Sequence, residues 1–280
     1  MQNLLQLAQA QTTAALASGA LQPIATDSCW LEDQDQRFLV RMLRGWRAKH
    51  PLLKAHGPVA NPFQPYDPRL FVADAGDCHL WLLNKFPVID QHLLLITRQY
   101  EPQTQWLNLA DFEAIASGLL AIDGFAFFNG GPLAGASQPH KHLQLVPLPL
   151  DRECCQPLPL SDRWQAALGG DRTALPFQHA IAELPNFLGL SAIQAGKTLF
   201  ETYQKLWVQF DLVVDGDRPP AYNLLLTRQW LLIVPRSRES HLHISVNALG
   251  FAGALLVRDQ AQLQQLQDLG PLQLLQTVGC

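Results

Sequence analysis

Apolar positions along the chain switch between two periods. Near the start, Leu4, Leu7, Gln11 and Ala14 fall at helical spacing, which predicts a docking helix. Residues 29–49 mix apolar and charged side chains around RFLVRMLRGW, a pattern that fits strand or helix. A Pro/Gly-rich connector, 57–68, follows. Beyond it, short apolar segments predict strands at 70–72, 79–83, 93–97, 125–129 and 141–147, with one helix near 109–120. Residues 148–171, broken by Pro157, Pro159, Gly169 and Gly170, predict a boundary. Past it, 196–212 reads as a helix, 222–226, 230–235 and 244–246 as strands, and the Gln/Leu-rich tail 259–279 as an amphipathic surface helix. Consecutive strands with short connections predict an α+β fold, an antiparallel sheet with helices packed on one side.

Composition narrows the function classes. Only 16% of the 280 residues are charged, and 20 basic against 24 acidic side chains leave a net charge of −4. That balance argues against nucleic acid or an anionic membrane as partner, but not against a small anionic ligand met by a few placed residues. Five cysteines (Cys29, Cys78, Cys154, Cys155, Cys280) make an odd count with no C-x-x-C, which fits neither a disulfide framework nor a zinc site. The expectation is a cytoplasmic protein with reduced thiols. The first residues lack the basic region of a signal peptide, and no apolar run reaches the roughly 18–20 residues of a membrane span.

Chemistry concentrates in residues 129–148, NGGPLAGASQPHKHLQLVPL. On a strand His140, His142 and Gln144 share one face. Upstream, Gly130, Gly131 and Gly135 with Ser137 and Gln138 form a loop whose backbone N–H groups can approach an anion. A histidine beside an anion cradle points to attack on phosphorus, since neutral imidazole is a good nucleophile and its phosphoramidate passes the group onward. Either piece alone is weak: a second H-x-H, His241 and His243, occurs in the same chain. Loop, serine, H-x-H and glutamine in succession carry the argument.

The run GASQPHKHLQ, with NPFQPYDPRLFV (61–72), LNKFPVIDQHLLLITR (83–98), FFNGG (127–131), YNLLLTRQWLLIVPR (222–236) and ISVNALGFAGALLV (244–257), resembles the diadenosine tetraphosphate phosphorylases (ATP adenylyltransferases). These are a branch of the histidine-triad/hexose-1-phosphate uridylyltransferase superfamily. The resemblance implies a histidine-triad-like sheet with an additional C-terminal segment, divided as a catalytic region, 1–160, and a region completing the nucleotide site, 175–280. It implies attack by His142 on the α-phosphorus, departure of ATP, and capture of the adenylyl group by inorganic phosphate as ADP. Gln144 stands where hydrolases of the superfamily carry a third histidine and is expected to donate to phosphoryl oxygens; His140 has a supporting role. By the same resemblance Asn84, Lys85, Asn129, Gly135, Ala136, Ser137, Gln138, Asn247, Ala248, Leu249, Ala254 and Arg258 bind substrate. Ala248, Leu249 and Ala254 can offer only backbone or packing contacts. Relatives carry a lysine before N-P-F; here Gly57-Pro58-Val59-Ala60 stand in that place, and Lys54 is the nearest substitute. The expected partners are a dinucleoside polyphosphate, ATP, ADP and phosphate. No cofactor is required by the sequence, although a divalent cation such as Mg can accompany the polyphosphate. Adenylyl sulfate as donor, hydrolysis in place of phosphorolysis, or a nucleotide sensor without turnover are the alternatives that sequence leaves open.

Overall fold

The computed structural model describes residues 3–45, 61–151, 156–210 and 218–280. An eight-stranded antiparallel sheet forms its centre, in the order β3 (Phe71–Ala75), β4 (His79–Leu83), β5 (Leu93–Thr97), β7 (His142–Pro147), β6 (Gly124–Gly130), β9 (Tyr222–Leu226), β10 (Trp230–Pro235) and β8 (Ala180–Glu183). β6 pairs with β9, so strands from both sides of the 148–171 stretch form one continuous sheet. Most of its strands are apolar on both faces because both faces are covered, while β7 and β6 also carry His142, Gln144 and Asn129.

One face is covered by helices α1 (Leu4–Ala17), α2 (Leu109–Ala121) and α4 (Ala192–Trp207). Each begins at a capping box, with Asn3, Asn108 and Ser191 accepting from the first turn. α2 and α4 cross so closely that a Cβ on Gly196 would lie 2.5 Å from the Glu113 Cα, so only glycine fits there. The other face meets a small sheet of β1 (Thr26–Asp33), β2 (Gln36–Leu43) and β13 (Ala254–Val257), β13 lying parallel to β2. Packed with it are α3 (Ser161–Leu168), α5 (Ala248–Phe251), α6 (Gln260–Leu269) and α7 (Pro271–Val278). A two-residue ladder pairs β11 (Ser240–His241) with β12 (Ile244–Ser245).

Several expectations need correction. Of the two readings open for residues 29–49, strand holds for the described part: β1 and β2 form a hairpin whose turn residues Gln34 and Asp35 take positive φ, and residues 46–49 lie outside the described residues. The helix expected at 196–212 is Ala192–Trp207, moved toward the N-terminus by the Ser191 cap. The 148–171 stretch, expected as a boundary, contains a helix, α3, around the buried Trp164. The tail is two helices split at Gly270-Pro271. Far from lying on the surface, α7 buries Leu272, Leu274, Leu275 and Val278. Helices do not cover one side only: the second face also carries them.

On that second face the apolar cover is in two pieces. One cluster runs through Phe125, Phe127, Val146, Leu225 and Leu232; the other holds Phe63, Leu80, Leu82, Leu94 and Ile96. Polar side chains of β7 and its neighbours fill the ground between them.

Candidate active site

Alternation along β7 sends Lys141, Leu143 and Leu145 to the helical face and leaves His142 and Gln144 in the polar gap. The His142 Nδ1–H donates to the His140 carbonyl at 2.8 Å. Burial, partly offset by that carbonyl, pushes the ring down to about 4, so it is neutral at physiological pH. The tautomer is therefore fixed, and Nε2, which has no hydrogen-bond partner among the described residues, carries the free lone pair. It is the carbonyl of His140 that does this work. Its ring is occupied elsewhere: Nε2 donates to the Thr97 carbonyl at 2.9 Å and Nδ1 accepts from Asn61 Nδ2 at 2.9 Å. Phe63 lies 5.5 Å from both imidazoles and closes them off on one side.

Gln144 is oriented by a relay absent from the sequence reading. The Asn84 Oδ1 accepts the Phe86 N–H at 3.2 Å, which turns its Nδ2 toward His92 Nδ1, also at 3.2 Å. With Nδ1 an acceptor, the His92 Nε2 carries the proton and donates to Gln144 Oε1 at 2.9 Å. Burial drives His92 down to about 4, which keeps it in this neutral form. The Gln144 amide NH2 is thus turned away from His92 as a donor. Asn84 thereby holds His92 in this relay.

Asn129, on β6, is set in the same way. Its Oδ1 accepts from Asn223 Nδ2 at 2.8 Å and from the Ala248 N–H at 3.0 Å, which leaves Nδ2 as its outward donor. Asn223 in turn accepts from the buried Arg236, whose guanidinium also donates to carbonyls of Val246, Val278, Arg238 and Glu239. Burial lowers Arg236 to about 10, with Glu239 acting in the opposite direction. One guanidinium thereby fastens the chain end, the 236–246 loop and β9 behind the site.

The glycine loop closes against that block. Gly135 sits at φ +85°, and a Cβ there would lie 2.8 Å from the Val246 oxygen and 2.9 Å from the Asn247 Cβ. Asn247 caps α5 by accepting the Leu249 N–H at 3.0 Å. The N–H groups of Ala248 and Leu249 are thus both spent inside the protein, which leaves those two residues packing contacts alone. Gly135, Asn247, Leu249 and Ala254 line one cleft with Arg41, Val88 and Ile89. Ala136 is half-buried and Ser137 exposed. Gln138 has a buried amide oxygen with no hydrogen-bond partner among the described residues. Lys85 is exposed, and Arg258 sits past the end of β13, where its N–H donates to Gln262 Oε1 and its side chain does not line the cleft. Lys54 lies outside the described residues.

Beneath β7, on the helical face, Lys141 is buried in an ionic cluster. Its Nζ reaches Glu101 Oε2 at 2.6 Å and Asp111 Oδ2 at 3.1 Å, while His79 Nε2 holds the other Asp111 oxygen at 2.8 Å. Burial alone would raise Asp111, but the His79 hydrogen bond and the Lys141 charge outweigh it and hold the carboxylate ionised. Lys141 therefore anchors the strand from behind and does not face the gap. Among the described residues no three His, Cys, Asp or Glu side chains gather to hold a metal ion, and no helix is long and apolar enough to cross a membrane.

Fold and site together place the chain among the nucleotidyltransferases. It belongs to the Ap4A phosphorylase family: the model for the Ap4A phosphorylase N-terminal domain matches residues 1–165, and that for the ATP adenylyltransferase C-terminal domain matches 173–280. It is similar to diadenosine 5',5'''-P1,P4-tetraphosphate phosphorylase 2 of Saccharomyces cerevisiae, at 29% identity over 77% of this chain and 73% of that one. The solved structure of yeast Ap4A phosphorylase Apa2 superposes with a TM-score of 0.78 at 26% identity, covering 100% of this chain and 98% of the other. The same yeast protein in complex with Ap4A gives a TM-score of 0.80 at 24% identity, over 100% and 98% of the two chains.

Proposed function

We propose that the chain catalyses phosphorolysis of diadenosine tetraphosphate to ATP and ADP, by way of an adenylyl group carried on His142 Nε2. The observation that carries this reading is the locked tautomer: a buried, neutral imidazole with Nδ1–H on the His140 carbonyl and an Nε2 that meets no partner among the described residues. Family membership and the yeast relative solved with Ap4A support the choice of substrate.

In the first half-reaction the Nε2 lone pair attacks the α-phosphorus, a P–N bond forms, and the bond to the bridging oxygen breaks with ATP as leaving group. In the second, an oxygen of inorganic phosphate attacks the same phosphorus, the P–N bond breaks, and ADP departs. ATP leaves as a stable anion and phosphate arrives already charged, so no strong general base is required. Catalysis then rests on positioning and charge stabilisation. The His140 carbonyl stabilises positive charge developing on the ring, while Gln144, the Asn129 amide and the 135–138 loop supply neutral donors to the phosphoryl oxygens. A divalent cation would arrive with the polyphosphate. The free thiols of Cys29, Cys78 and Cys280 fit a cytoplasmic enzyme.

The test is product analysis with and without phosphate. ATP and ADP, formed only when phosphate is present, are expected. AMP and ATP formed equally in both samples would instead identify a hydrolase.

A further inference from the structure

The β6–β7 ladder runs from Gly124↔Pro147 to Phe127↔Gln144 and then stops. Continued for two residues, its register sets Asn129 opposite His142. In an antiparallel pair such residues either exchange both backbone hydrogen bonds or none. Here the ladder does not reach this pair, and the Asn129 carbonyl accepts the Gly131 N–H at 2.9 Å. The side-chain amide of Gln103 lies between them. Its Oε1 accepts the His142 N–H at 2.7 Å, and its Nε2 donates to the Asn129 carbonyl at 2.9 Å and to the His142 carbonyl at 3.2 Å. Gln103 is 2% exposed. It is held in turn by its own N–H on the Pro139 carbonyl at 2.8 Å, while the neighbouring Glu101 carbonyl takes the Lys141 N–H at 2.7 Å.

We propose that Gln103 is a positioning residue: a wedge that keeps β6 and β7 apart at their catalytic ends and so fixes the distance between His142 and Asn129. This rests on the phosphorolysis reading above. Hydrogen-bonded antiparallel partners sit about 5.5 Å apart at Cα, and an interposed amide holds them wider. Each side of the gap has a different cargo. β7 carries the nucleophile, while Asn129 carries, through its Oδ1, the N-terminus of α5 and the Asn247 wall. Without the wedge the ladder can close by one more pair and draw that wall toward His142. The substrate can still bind, but the phosphorus is no longer in line with Nε2.

Two near-isosteric substitutions separate positioning from simple stability. Gln103→Met removes all three hydrogen bonds and is expected to lower kcat about 100-fold, the loss a misplacement near 1 Å can cause, with KM changed less than about threefold. Gln103→Glu keeps the Oε1 acceptor, but its second oxygen can donate to the Asn129 carbonyl only when protonated. Its kcat is therefore expected to rise as pH falls from 8 to 5.5, a rise the wild type lacks because His142 stays neutral throughout. Hydrogen exchange at the His142 N–H reads the wedge without turnover: in Gln103→Met the amide should stay protected through a new pairing with β6. The wedge is refuted if Gln103→Met keeps wild-type kcat, if Gln103→Glu loses activity equally at every pH, or if the His142 amide exchanges freely in Gln103→Met. An inactive wild type would overturn the phosphorolysis reading, and the exchange measurement would still decide the wedge.

Discussion

At the residue scale, three side chains at the gap each have one end committed to the protein and the other directed outward. His142 commits Nδ1, Gln144 commits Oε1 and Asn129 commits Oδ1. An amide that could flip would offer its oxygen to the phosphate half the time, and committing the oxygen of Gln144 and of Asn129 removes that option; in His142 it is the Nδ1–H donor that is committed, so the Nε2 lone pair faces out. His92 matters for this reason. Changing His92 to Leu frees Gln144 to rotate and strands the Asn84 amide, so kcat should fall on the order of tenfold or more with little change in KM. Steady-state kinetics check it, and an unchanged kcat would mean that Gln144 needs no orientation. His142 and Gln144 were legible in the H-K-H-L-Q pattern because strand alternation places them on one face. His92 and Gln103 were not. Each meets its partner across a strand boundary 52 or 39 residues away in the chain, and nothing local marks a glutamine in E-P-Q-T-Q-W.

At the element scale, the site is a seam between the β6–β7 end and the loop following the second H-x-H. The glycine at position 135 is what lets the two approach. Alanine there would need φ near +85° and would press its Cβ into the Val246 oxygen. Left-handed backbone costs a non-glycine residue about 1–2 kcal/mol, so Gly135→Ala should lower Tm by a few degrees. Because the loop is pushed off the Asn247 wall, KM for the dinucleotide should also rise about tenfold. Thermal unfolding and initial rates measure the two effects, and a normal KM would show that the loop does not shape the site. Elements with local signatures were readable from sequence: α2, β4, β5, β9 and β10 fall where apolar runs and turn residues put them. β13 escaped because its pairing with β2 is parallel and bridges most of the chain. α3 escaped because flanking prolines and glycines masked a short helix that only its buried Trp164 justifies.

At the scale of the whole molecule, a low-charge chain builds an anion site mostly from neutral donors. The buried histidines that make this work have a cost in acid. His92 and His142 titrate near 4 in the folded state, against about 6.5 when unfolded. Between those values the unfolded chain binds more protons, so stability is full above about pH 6.5 and is lost as pH falls toward 4. The loss is on the order of 3 kcal/mol per histidine by the linkage relation. Denaturant melts at pH 7, 5.5 and 4.5 should show the decline, and a His92→Leu variant should show a shallower one; a flat profile would mean the imidazoles are not buried as described. The central claim is chemical, and mass spectrometry of the intact protein mixed with diadenosine tetraphosphate in the absence of phosphate tests it most directly. The wild type should gain one adenylyl group on His142, lose it as ADP when phosphate is added, and His142→Asn should gain none. A labelled His142→Asn, or an unlabelled wild type that still turns over, would contradict the account.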